Sequence, residues 1–210
     1  MEIWRYESEL LLSNMYLLTE NGHAIVIDPL ADTSCAEGLN IDRIILTHEH
    51  YDHISGVNLW KERFHTRVLC SETCAENIQN PRKNLARIFE VFCELQTWVE
   101  LETIPQADKQ YSCTADDVFT DRVSFDWFGH QFDLFELPGH SAGSIGILVD
   151  DRYFFSGDSL LEGKDIELRF PGGSRELWES VGRRRLEDIP PGLTVYPGHF
   201  KEFKYLKKGG

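Results

Sequence analysis

Residues 46 to 53 read LTHEHYDH. Of the eight histidines in the 210-residue chain, three fall here within six positions, with an aspartate among them, directly after the apolar run Ile44-Ile45-Leu46. An imidazole binds a divalent cation through a neutral ring nitrogen, so a metal site needs several converging imidazoles, usually with carboxylates. Alternate residues of extended chain point the same way, so His48 and His50 can converge on one ion while Asp52 and His53 turn toward a second. Any one of them alone reads as an ordinary surface or core residue. Four ligand-capable side chains in six positions read as a metal centre.

Three stretches further along carry the same signal. PGHSAGS places His140 after the strand-like run Phe132 to Leu137, FSGD places Asp158 after Tyr153 to Phe155, and YPGH places His199 after Thr194 to Tyr196. Each candidate ligand therefore follows a strand, and the ends of strands on a rigid scaffold can bring distant side chains to one point. Other strand-like runs are Glu2 to Tyr6, Leu10 to Leu18, His23 to Asp28, Arg43 to Thr47, Val68 to Cys70, Val123 to Trp127 and Ile145 to Val149. Helices are expected from about Gly56 to Phe64 and from Glu176 to Leu186, and the stretch Gln106 to Asp117 reads as a loop. From Asn84, Leu85, Ile88, Phe89, Phe92, Leu95 and Val99 recur at three- and four-residue steps, a helical stripe that Val91 and Trp98 widen. The stripe packs on the body of the protein, caps the metal edge or forms a dimer contact. Strands, helices, strands, a helix and a last strand imply two packed sheets flanked by helices.

The length fits one domain of ordinary size or two small ones, and 41% hydrophobic with 12% aromatic content supports a sizeable core. Twenty-one basic residues against 35 acidic ones give a net charge of -14, and the lysines gather only at Lys201, Lys204, Lys207 and Lys208. Phosphate binding needs clustered Lys and Arg, so nucleic acid is not an expected partner. No basic segment leads into an apolar one near the start, and no run approaches a membrane span. The sequence thus reads as that of a soluble, cytoplasmic protein with a small-molecule substrate. Cys35, Cys70, Cys74, Cys93 and Cys113 show no two-residue metal or redox gap and read chiefly as buried small hydrophobes in a reducing compartment.

SNMYLL, VIDP, THEHYDH, PGHSAGS, FSGDSL and YPGH, in this order across nearly the whole chain, resemble the metallo-β-lactamase superfamily and, within it, the glyoxalase II-like hydrolases; FPGG at 170 to 173 resembles the segment after the metal aspartate of glyoxalase II. The resemblance implies an αβ/βα sandwich over residues 1 to 210 with the metals at one edge; the segment at about 81 to 117, which matches no metal motif and carries the apolar stripe, reads as a helical insertion. The resemblance also implies that His48, His50 and His140 hold one divalent metal ion, that Asp52, His53 and His199 hold a second, and that Asp158 bridges both. Asp52 and Asp158 are the catalytic carboxylates on this reading. Asp28 would orient ligands from behind or act as a turn residue before Pro29. His23, His65 and His130 match no ligand motif, and Ser141 and Ser144 read as turn and supporting residues.

Two such ions lower the pKa of a shared water and polarise an acyl or phosphoryl oxygen. Histidine and carboxylate ligands suit zinc first, and iron and manganese also accept them. The implied substrate is an intracellular thioester or related acyl compound, with a lactone close behind. The alternatives are a persulfide-dioxygenase-like oxygenase with a single iron and a nonenzymatic ligand-sensing member of the fold. Eleven residues follow His199, so the chain resembles a short form without the helical domain that supplies glutathione contacts in glyoxalase II. Phe200 stands where the family often has glycine, which would narrow or reshape the pocket.

Overall fold

The computed structural model describes residues 1–95 and 106–206. Two six-stranded sheets form its centre. The first contains β1 (Glu2–Glu7), β2 (Asn14–Glu20), β3 (His23–Ile27), β4 (Asn40–Ile45), β5 (Arg67–Ser71) and β6 (Asp117–Phe119) in chain order. Its first two junctions are antiparallel and the next three parallel. The second contains β7 (Arg122–Trp127), β8 (His130–Glu136), β9 (Ile145–Val149), β10 (Tyr153–Gly157), β11 (Thr194–Pro197) and β12 (Phe203–Lys204), again in order. Only the β10–β11 junction is parallel there.

The apolar runs are continuous because these strands are covered on both faces. In β2 and β3, Tyr16, Leu18, Ile25 and Ile27 face the second sheet, while Met15, Leu17, Ala24 and Val26 face the helices on the other side. The second sheet repeats the division: Phe132, Leu134 and Phe155 face inward, and Phe135, Phe154 and Val195 pack outward with Ile189 and Leu193. Helices α1 (Tyr51–Ile54), α2 (Val57–Phe64), α3 (Glu72–Asn77) and α4 (Phe89–Glu94) belong to the first sheet. On the second lie α5 (Arg175–Leu177) and α6 (Arg183–Glu187), joined through a π-helical turn at Trp178–Gly182. The result is the four-layer helix–sheet–sheet–helix sandwich expected from the sequence. No helix among the described residues is long and apolar enough to cross a membrane.

Several local expectations change. The run Leu10 to Leu18 is not one strand: Ser13 N donates to Leu10 O at 3.1 Å, closing a turn, and pairing begins at Asn14. Unbroken hydrophobicity hid that turn, because Leu11 and Leu12 occupy left-handed angles usually filled by Gly or Asn. The stretch from Gln106 ends in β6 at Asp117, and α3 and β12 fall where no periodicity long enough to see exists. From Asn84, a 3-10 turn at Ala86–Ile88 precedes α4, so the helical phase breaks. Leu85, Phe89 and Phe92 are buried as the stripe requires, with Cys93 beside them, whereas Ile88, Val91 and Leu95 are exposed. Val99 and Trp98 lie outside the described residues.

Phe132 is fully buried between the sheets, stacked on Phe125 with centroids 4.9 Å apart. Phe132→Ala should cost about 3–5 kcal/mol of folding stability, read as a lower midpoint in urea unfolding. A loss below about 1 kcal/mol would mean that the sheets repack at this point.

Candidate metal centre

The chain leaves β4 at Ile45 and runs through Leu46, Thr47, His48 and Glu49 to His50 before α1 begins at Tyr51. His50 keeps extended angles, φ -66° and ψ 144°, while Asp52 and His53 lie inside the helical turn. The change of backbone geometry between His50 and Asp52 sends the two pairs of side chains to different places. His140 comes from the loop after β8, Asp158 follows β10 and His199 follows β11. All four segments end on one edge of the sandwich, although the first belongs to one sheet and the other three to its partner.

The donor atoms of His48, His50 and His140 lie within 4.8 Å of one another, and so do those of Asp52, His53 and His199. Asp158 stands between the two trios: its Oδ2 is 3.4 Å from His140 Nε2 and 3.3 Å from His199 Nε2, and its Oδ1 is 3.7 Å from His53 Nε2. The structure therefore brings all seven candidate ligands together. Among the described residues, His48 Nε2, His50 Nε2, His53 Nε2 and Asp158 Oδ1 are buried without a hydrogen-bond partner. Buried polar atoms are almost always satisfied, because an unmet donor or acceptor costs about 1–3 kcal/mol. Four such atoms turned into one cluster of imidazoles and carboxylates fit divalent cations.

Electrostatics differ between the two trios. Burial, reinforced by neighbouring imidazoles, holds His48 and His50 well below the usual histidine range, which keeps their nitrogens neutral and able to donate a lone pair. Burial also opposes charge on His53, but Asp52, Asp158 and Asp28 outweigh it and push its pKa up to about 10. Burial raises the Asp52 carboxyl. For Asp158 burial is overcome by His199 and His53, which hold it well below the carboxylate range.

Outer contacts fix the ligands. Asp28, at the end of β3, accepts Thr47 N at 2.7 Å and Thr47 Oγ1 at 2.5 Å, and lies 3.1 Å from His53 Nδ1. Thr47 Oγ1 is also 3.0 Å from His48 Nδ1, so one carboxylate orients a histidine of each trio. Glu167 O is 3.1 Å from His140 Nδ1. Sequence reading missed Glu49. It is buried and takes hydrogen bonds from Asn77 Nδ2 at 2.8 Å and Ser141 Oγ at 2.7 Å, which ties the first histidine loop to the second. No local signal marks it, since its partners lie far away in the chain. Gly198 is required by close approach: a Cβ there would collide with Asp158 Oδ1. Of the histidines outside the motifs, His23 pairs with Asp42 and His130 with Asp150.

Residues 9–199 match the family model described as the metallo-beta-lactamase superfamily. The chain belongs to that superfamily. Among curated relatives, a hydroxyacylglutathione hydrolase of Photorhabdus laumondii is 26% identical over 189 residues, covering 87% of this chain and 60% of its own. A protein of Streptococcus pyogenes serotype M6 named "Probable metallo-hydrolase" is 25% identical over 207 residues, covering 95% and 84%. The chain thus spans about three fifths of the length of the hydroxyacylglutathione hydrolases it matches. Two solved structures share the fold. The BLEG-1 B3 metallo-beta-lactamase has a TM-score of 0.77 at 22% identity, with 97% of this chain and 94% of that one covered. TTHA1623, solved in a di-iron-bound form, has a TM-score of 0.68 at 23% identity, with 96% and 94% covered. In this superfamily member, then, the paired trios are a candidate metal centre.

Asp28→Asn keeps the shape but exchanges an acceptor oxygen for a donor facing Thr47 and His53. Metal affinity should fall about 10–100-fold, measured by competition with a chromogenic chelator. Unaltered affinity would leave Asp28 as a turn residue only.

Proposed function

We propose that the chain is a binuclear metallohydrolase that cleaves an acyl thioester or a closely related acyl substrate, with zinc as its first-choice metal and iron or manganese as its rivals. The observation that carries this reading is the meeting of two ligand trios at Asp158. His48, His50 and His140 would hold one ion, and Asp52, His53 and His199 the other. When bound, such ions lower the pKa of a shared water and polarise the acyl oxygen. The carboxylate of Asp158, within reach of both trios, would offset repulsion between two cations held there. A cavity of about 320 Å³ opens beside His140, Asp158 and His199 and receives the substrate. In the reaction, water oxygen joins the acyl carbon and the carbon–sulfur bond breaks; one water proton goes to the leaving thiolate to give a thiol, and the other passes to solvent as the carboxylate forms.

The names of the curated hydroxyacylglutathione hydrolases support a thioester, and the "Probable metallo-hydrolase" relative supports hydrolysis. All five cysteines are free, four of them buried, which supports a reducing compartment such as the cytoplasm.

Elemental analysis after metal-replete expression should find two transition-metal ions per chain, and a screen of thioesters, esters and lactones should find thioesters turned over fastest. Asp158→Ala should lower turnover more than about a hundredfold and reduce bound metal, with the circular-dichroism spectrum retained. A variant with full turnover and full metal content would remove the bridging role. One iron per chain, with oxygen consumed in the presence of persulfides, would replace the hydrolase by a single-iron oxygenase.

A further inference from the structure

The cavity beside the metal centre has an apolar wall made by Leu11, Phe92, Leu161, Phe170 and Phe200. Two of these residues reach it from backbone angles that large side chains rarely adopt: Leu11 has φ 52° and Phe200 φ 70°. Leu11 shares its turn with Leu12, at φ 55°, in a place where Asn or Gly would sit without strain. Yet Leu11 is only 1% exposed while Leu12 is 42% exposed, so the turn drives one leucine inward.

Both strained positions are fastened to the metal-binding segments. Ser13 Oγ donates to Asp52 O at 2.9 Å, Ser13 bridges His199 as a β-pair, and Asn14 N donates to Gly198 O at 2.7 Å. Phe200 O accepts from Asn14 Nδ2 at 2.7 Å. The Lys164 ammonium lies 4.7 Å from the centre of the Phe200 ring. Lys164 is the one lysine or arginine lining the cavity among the described residues, beside the carboxylates Asp165 and Glu167. Glycine would satisfy either backbone position freely. Strain that the surroundings enforce, at residues whose side chains line a pocket, points to a use for those side chains.

We propose that Phe200, with the buried Leu11 at its base, forms an apolar lip that selects acyl substrates with a larger hydrocarbon or aryl acyl group over those with an acetyl group. The inference deepens the acyl-hydrolase reading and rests on it for the bond that is cut. Each methylene buried against the lip favours the longer chain, and the bound ions would lie at the carbonyl end.

The test uses the metal-replete full chain and compares wild type, Phe200→Ala and Phe200→Gly. Three quantities are measured: kcat/KM for octanoyl and acetyl thioesters of the same small thiol, binding of octanoate and acetate by calorimetry, and thermal midpoints. Wild type should prefer octanoyl, and both variants should lose about tenfold or more of that preference, the size expected when one apolar contact is removed from a pocket. Leu11→Ala should shift the preference the same way; if it does not fold, the Phe200 pair decides. Phe200→Gly should melt above Phe200→Ala, since only alanine keeps a Cβ at the left-handed angle. Thioester turnover with the same octanoyl preference in all proteins overturns the lip and leaves the hydrolase standing. If wild type cleaves neither thioester, the reaction assigned above falls, and carboxylate binding decides the lip: octanoate bound no better than acetate, or equally well by Phe200→Ala, overturns it. Phe200→Ala melting at or above Phe200→Gly overturns the strain argument.

Discussion

One buried carboxylate, Asp28, holds the signature loop in an arrangement that serves both trios. The loop must leave a strand, present two histidines from extended chain and then coil into α1, all without exposing its backbone. Asp28 meets the demand by taking the Thr47 amide and hydroxyl while lying against His53 Nδ1. Its own backbone is left-handed, φ 53°, one of the conformations that Asp tolerates better than most residues. Because Thr47 Oγ1 also meets His48 Nδ1, the direction of a ring in each trio follows from the end of β3. That strand is buried on both faces, so the ligands inherit the rigidity of the sandwich.

Crowding seven imidazoles and carboxylates into a buried cluster is costly unless something neutralises them. Burial and neighbouring imidazoles hold His48 and His50 well below the usual histidine range, while Asp52, Asp158 and Asp28 offset the burial of His53. That arrangement still leaves buried nitrogen and oxygen atoms unsatisfied among the described residues. The same groups would be satisfied together by cations, so metal affinity and fold stability become linked quantities. Glu49 contributes from behind. Its bonds to Asn77 and Ser141 join α3, the signature loop and the His140 loop, and Gly143 leaves the room, since a Cβ there would stand 2.6 Å from Glu49 Oε2.

Most of the framework could be read from the sequence because the forces that make it are local or periodic. Strands buried on two faces appear as unbroken apolar runs, and turn residues mark where they stop. The candidate ligands were legible for a related reason: a metal site restricts residue type more severely than packing does, and each ligand segment follows a strand. The misreadings share one cause. Leu10 to Leu12 looks like strand because its turn uses leucines in place of glycine, an exception imposed by contacts that the next two residues, Ser13 and Asn14, make to Asp52, Gly198 and His199 in distant segments. The stripe from Leu85 loses its phase where Leu85 itself turns left-handed, φ 67°, before the 3-10 turn. Glu49 escaped notice because hydrogen bonds across 28 and 92 residues leave no trace in a short window.

The wall of the cavity and the first trio are also parts of one mechanical unit. The segment after Asp158 supplies Leu161, Lys164, Glu167 and Phe170 to the cavity, and its Glu167 carbonyl meets His140 Nδ1. Within it, Arg169 clamps the Glu167 side chain with hydrogen bonds from its backbone and guanidinium, which holds that carboxyl at about 2. Phe92 of α4 packs 4.3 Å from Phe170 and 6.1 Å from His50, measured between ring centres. On the proposed function, a molecule that displaced this wall would displace the carbonyl that meets His140 Nδ1, and an ion that fixed His140 would restrain the wall in return. Coupling of that kind is reciprocal by thermodynamic necessity. An ion on His140 and the shape of this part of the cavity wall would then be set through the same short segment of backbone.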